Sequence, residues 1–69
     1  MKKVRILIGS HLRKLRVDHC LSQKEVAQYL GISVQVYSLY ETDKNEPSLS
    51  IVIGLAELYG TTVDNILNI

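Results

Sequence analysis

Between Ser22 and Glu41 one helix has to end and another begin with almost no chain between them. Ser22 offers a hydroxyl that accepts from free backbone N–H groups, and Glu25 three residues on completes an S-x-x-E capping box. Gly31 supplies the left-handed backbone that ends a helix and that a residue with a Cβ resists. Ser33 then caps the next helix, so the spacing predicts two helices of about two turns meeting at a sharp corner, with Ile32 tucked inside as an apolar pivot. Val26, Ala27 and Leu30 form the inner face of the first helix, and Tyr37 and Tyr40 that of the second. The outer side of the second is left with Val34, Gln35, Ser38 and Leu39, with Val36 beside them: hydrocarbon and an amide, and no Arg or Lys.

Elsewhere the apolar residues also recur at spacings of three and four rather than two, which predicts an all-α chain. Ile8, Leu12 and Leu15 mark one face of a first helix, with Arg13, Lys14 and Asp18 on the other, and it stops near His19 and Cys20. After the polar loop "ETDKNEPS", Ser48 caps a fourth helix whose expected buried stripe is Leu49, Val52, Leu55, Ala56 and Tyr59, closed by Gly60. Thr62 or Thr61 caps a last short helix with Val63, Ile66 and Leu67 inward. A chain of 69 residues with no repeat or linker is expected to be one domain, 1–69, near the lower size limit for a core without a disulfide, a metal or a partner.

Several kinds of chemistry find no support. Cys20 has no second cysteine to pair with, and His11 and His19 lack the spacing of a zinc site, so no metal, cofactor or small-molecule ligand is expected. No phosphate-binding glycine loop, nucleophile motif or pair of carboxylates on one helix face occurs, so no catalytic residue is assigned and the chain is not expected to be an enzyme. Without an apolar run of about 18 residues or a cleavable leader, a cytoplasmic protein with no membrane contact is expected.

The net charge of +1 conceals a division. Residues 1–24 carry seven bases (Lys2, Lys3, Arg5, Arg13, Lys14, Arg16, Lys24) against Asp18, a local +6; residues 25–69 carry Lys44 against six acids, a local −5. A basic end of this kind can track phosphates while the acidic remainder repels them.

The stretches "LSQKEVAQYLGIS" through "YE", then "PSL" and "LAELYG", resemble the phage repressor and Cro-like helix-turn-helix regulators, the XRE family. The resemblance runs from about Ile8 to Leu67. It rests on the ordered set Arg16, Ser22-Gln23, Ala27, Gly31, Ser33, Glu41, Pro47-Ser48-Leu49 and Leu55-Ala56. It implies a compact five-helix, lambda-repressor-like DNA-binding domain with a basic N-terminal arm over about 1–5 and the helix-turn-helix over about 22–41. The second helix of the pair, about 34–41, would lie in the major groove. Ser33, Val34, Gln35 and Leu39 then occupy base-contacting places; Gln23 matches a phosphate-holding glutamine, and Ser22, Thr42, Lys44 and Asn45 match other backbone-contacting places. Arg16 and Glu41 match a structural ion pair. Where Asp43 stands many members have Gly, and where His19-Cys20 stand many have Gly to end the first helix.

The expected function follows from those places. Gln35 can pair with an adenine edge through N6 and N7, while Val34 and Leu39 suit the thymine methyl. Few bases are placed to meet phosphates, and Asp43 and Glu46 oppose Lys44. Useful affinity therefore calls for two half-sites: a homodimer on a palindromic operator in double-stranded DNA, with Ile51, Ile53, Leu58 and Ile69 as the two-fold contact. A bacterial or phage-encoded transcriptional repressor is the expected role. The rival is a protein–protein interaction module, antitoxin- or anti-repressor-like, using the same apolar face of Val34, Val36 and Leu39.

Overall fold

The computed structural model describes residues 5–69; of the basic arm expected over about 1–5, only Arg5 lies within the described residues. Five helices follow in order: α1 (Gly9–Asp18), α2 (Gln23–Leu30), α3 (Val34–Glu41), α4 (Leu49–Tyr59) and α5 (Val63–Leu67), with no strand among the described residues. The all-α, five-helix organisation is the one that the apolar spacing predicts.

Four of the five helices begin on a hydroxyl. Ser22, Ser33, Ser48 and Thr62 accept from the backbone N–H of Glu25, Val36, Ile51 and Asn65, and the Glu25 carboxylate returns to the Ser22 N–H at 3.0 Å to close the capping box. Of the two candidates for α5, Thr62 is the cap, while Thr61 accepts from the Asn65 side-chain amide at 2.8 Å. Gly31 ends α2 at φ 72, within the left-handed region, and the corner follows at once.

The exception is α1. Ile8 has no polar side chain to cap it, and the carboxylate of Asp43, 34 residues away, accepts from the Gly9 N–H at 2.9 Å instead. The start of α1 is pressed so closely against the end of α3 that a Cβ on Gly9 would come within 2.6 Å of the Glu41 carbonyl carbon and 2.8 Å of the Tyr40 carbonyl oxygen. Only glycine fits there, and α1 is thereby tied to α3 at its first residue.

The core gathers Ile8 and Leu12 from the first segment, Val26 and Ala27 from α2, Tyr37 from α3, Val52, Leu55, Ala56 and Tyr59 from α4 and Ile66 from α5. Leu49, expected in that stripe, is 69% exposed. It opens α4 one turn before Val52, so the first turn of the helix overhangs the core, and the buried apolar residue at that end is Pro47. At the end of α1, Cys20 adopts φ 58, the strained turn expected for a side chain in a position that suits glycine. The His19 ring lies 4.6 Å from that of Tyr59, whose buried hydroxyl has no hydrogen-bond partner among the described residues. No helix among the described residues is long and apolar enough to cross a membrane.

Candidate nucleic-acid interface

The geometry of α3 is set at its last residue. Glu41 receives four side-chain hydrogen bonds: Arg16 Nε at 2.7 Å and Nη2 at 3.1 Å from α1, Gln23 Nε2 at 3.0 Å from α2, and the Tyr37 hydroxyl at 2.6 Å from the preceding turn of α3. The remaining guanidinium arm, Nη1, donates to the Leu21 carbonyl at 3.0 Å. One carboxylate thus joins three helices, and the fork geometry of arginine lets it take both oxygens at once. The Arg16 and Glu41 side chains are 14% and 4% exposed, so water screens the pair little.

The titration of this cluster follows from the contacts. Burial pushes the Glu41 carboxyl up, but the hydrogen bonds from Arg16, Tyr37 and Gln23, with the positive charge of Arg16, together outweigh it and hold the group below its ordinary value. The Arg16 guanidinium is raised by its bond to Glu41, and the Tyr37 phenol is pushed far up, first by burial and then by donating to that carboxylate. At neutral pH the cluster is therefore one anion, one cation and one neutral phenol.

With its end fixed, α3 presents a mixed outer face. Gln35 and Val36 are exposed, and the Gln35 amide makes no hydrogen bond to other described residues. Val34 and Leu39 are only half-buried rather than fully outward, and Val34 packs on the edge of the core. Between α2 and α3 an open groove of about 480 Å³ is lined by Lys24, Ala27, Gln28, Ile32, Ser33, Val34 and Gln35. Ala27, Ile32 and Val34 give it hydrocarbon, and Gln28, Gln35 and Lys24 bring two amides and an ammonium. Ser33, besides capping α3, lines this groove.

The residues expected at the DNA backbone divide by the work their side chains already do. Ser22 accepts from Glu25 N–H and sits beside the Glu25 carboxylate in the capping box, while Gln23 keeps one amide N–H after bonding Glu41. Thr42 donates its hydroxyl to the Ser38 carbonyl at 3.0 Å, so a phosphate would have to compete for that proton. Lys44 and Asn45 are exposed, and their backbone N–H groups both donate to the Leu39 carbonyl, at 3.0 and 3.2 Å. Asp43, where the family often has Gly, accepts φ 61 and turns its carboxylate inward to Gly9.

Of the positions expected at a two-fold contact, Ile53 and Ile69 are 42% and 86% exposed, while Ile51 and Leu58 are half-buried against the core. Four features were missed in the sequence: the close approach at Gly9, the capping role of Asp43, the placement of Gln28 on the groove, and Arg5, which bonds the loop after α3. Gly9 alone carried a signal, as a glycine opening an otherwise ordinary helix. No cluster of His, Cys, Asp or Glu suited to a metal ion occurs among the described residues.

Comparison with known proteins agrees with this architecture. Residues 12–66 match the family described as Helix-turn-helix (HTH_3). The chain is 36% identical over 61 residues to the SPbeta prophage-derived HTH-type transcriptional regulator YonR of Bacillus subtilis (strain 168), covering 88% of this chain and 56% of that protein. It is 37% identical over 57 residues to the cryptic phage CTXphi transcriptional repressor RstR of Vibrio cholerae, covering 83% and 51%. The chain thus spans about half the length of either regulator. In structure it is similar to the hypothetical transcription factor NHTF from Neisseria, with a TM-score of 0.81 at 25% identity, over 91% of this chain and 71% of that one. A match that takes in the corner, the brace and most of α5 makes the chain a member of the helix-turn-helix family of transcriptional regulators, a family of XRE type and not of enzymes.

Proposed function

We propose that the chain is a sequence-specific DNA-binding repressor domain, a single unit over residues 1–69, that lays α3 in the major groove of double-stranded DNA. The observation that carries this is the pairing of an exposed Gln35 amide on α3, unbonded among the described residues, with a four-bonded Glu41 that fixes the same helix from behind. A reading side chain has to be free, and the rod that bears it has to be rigid. Ser33, Val34, Gln35 and Leu39 face bases. Ser22, Gln23, Thr42, Lys44 and Asn45 meet phosphates, with Lys24 at the positive end of α2 as a further candidate. Half-burial of Val34 and Leu39 reduces the apolar outer surface and favours a duplex over a protein partner on this face.

The domain works in the cytoplasm as a homodimer on a palindromic site, with Ile53 and Ile69 the most exposed of the residues available for the two-fold contact. Repression is supported by the name of the phage relative. The test is a titration of random-sequence and selected duplexes at two salt concentrations, with replacement of thymine by uracil in each half-site. A preferred palindrome, a steep salt dependence and weaker binding of the uracil duplex are expected. Binding indifferent to sequence and salt overturns the proposal.

A further inference from the structure

Arg5 reaches 41 positions along the chain to the loop behind α3. Its Nε lies 3.4 Å from Glu46 Oε1, and its Nη2 donates to the Asp43 carbonyl at 3.2 Å. That loop holds Lys44, the sole base of residues 25–69, with acids on both sides. The two acids are dealt with differently. The Asp43 carboxylate is turned to the Gly9 N–H, at the positive end of α1, and Glu46 is the one that Arg5 pairs. On its other side the loop is tied to α3, where the Lys44 and Asn45 N–H groups share the Leu39 carbonyl.

We propose that Arg5 is a positioning residue of the DNA interface. Its side chain latches onto the loop after α3, through Glu46 and the Asp43 carbonyl, so that Lys44 and Asn45 meet a phosphate in a fixed geometry. The proposal rests on the DNA-binding function above. It differs from direct phosphate binding by Arg5 in one consequence: the effect of Arg5 depends on Glu46.

The test measures random-sequence duplex binding by the wild type, Arg5→Gln, Glu46→Gln and the double variant at low salt. Simple attraction between charges and phosphates adds, so Arg5→Gln would then cost the same factor with or without Glu46. A latch makes the Arg5→Gln loss about two- to five-fold larger when Glu46 is present, the range an exposed ion pair supplies. Amide exchange of free protein gives a second readout: Arg5→Gln should speed exchange at Lys44 and Asn45 with little change in the thermal midpoint. Equal loss in both backgrounds, or unchanged exchange, overturns the latch. A wild type that binds no duplex sinks the DNA reading, and the exchange data then report on the latch alone.

Discussion

Replacing Glu41 by Ala removes the acceptor of four hydrogen bonds while leaving every donor in place. Arg16 is stranded with a side chain 14% exposed, and breaking a buried ion pair in this way costs about 3–5 kcal/mol. The Tyr37 hydroxyl, on a fully buried residue, adds on the order of 1–3 kcal/mol. At ~0.05–0.15 kcal/mol per residue, a chain of 69 residues has about 3–10 kcal/mol in all. Glu41→Ala should therefore be largely unfolded at room temperature, as read by far-UV circular dichroism in a urea titration. Glu41→Gln, which keeps the shape and loses the charge, should fold with a lowered midpoint. The sharper test adds Arg16→Met to Glu41→Leu. With no charge left to strand, the double variant should recover to within about 2 kcal/mol of the wild type. The residual deficit is shared by the Tyr37 hydroxyl, the Gln23 amide and the Leu21 carbonyl, each left without its partner, and Tyr37→Phe should remove the part that belongs to the fully buried one. Costs that simply add in the double variant, or an unchanged midpoint in Glu41→Ala, would refute the brace.

Three further outcomes are expected. Gly9→Ala should lower the thermal midpoint by several degrees through about 1–3 kcal/mol of backbone overlap, although the same change in an open helix stabilises by up to about 1 kcal/mol; a raised midpoint contradicts the close approach to Glu41 and Tyr40. Because the native state holds Glu41 below its ordinary 4.5, its contribution is complete above that value and disappears as pH falls through the native one; the stability gap between wild type and Glu41→Gln, followed by thermal unfolding, should close on acidification, and a gap independent of pH would exclude this origin. Gln35→Ala should relax preference at one base pair per half-site by about 1–3 kcal/mol, whereas Lys44→Ala should weaken all duplexes alike and reduce the salt slope by about 0.9; a uniform loss from Gln35→Ala in a binding series would place the amide off the bases.

The parts of the fold legible in the sequence are those decided by neighbours along the chain. Ser22, Ser33, Ser48 and Thr62 bond an N–H three residues on, and Gly31 and Gly60 end their helices locally, so spacing alone locates them. What escaped depends on contacts between distant segments. Asp43 caps α1 from 34 positions away and Arg5 grips Glu46 across 41, and nothing in either local sequence announces a partner. Leu49 fits the period of its helix and is exposed all the same, because periodicity gives a direction and says nothing about where the core ends. The partnership of Arg16 with Glu41 was legible through the family resemblance and not through spacing. The half-burial of Val34 and Leu39 depends on how far α3 sinks between its neighbours, which no one-dimensional pattern encodes.

Stability and recognition share their residues in a domain this small, and the arrangement of α3 explains why they have to. An eight-residue helix is about 12 Å long and cannot hold an orientation through its own hydrogen bonds, so both ends need anchoring. The first end is set by the corner at Gly31 and Ser33, the last by Glu41, and the inner face by Tyr37 with no exposure. Gln35 lies between the anchors on the side that none of them uses. A single loosened anchor therefore tilts the reading side chain as well as weakening the fold, whereas a change at Gln35 leaves the anchors untouched. The loop after α3 extends the same logic outward. Asp43 spends its charge on α1 and Arg5 spends its own on Glu46, so the residues that keep the loop in shape are also those that leave Lys44 as its one cation without an acidic partner among the described residues.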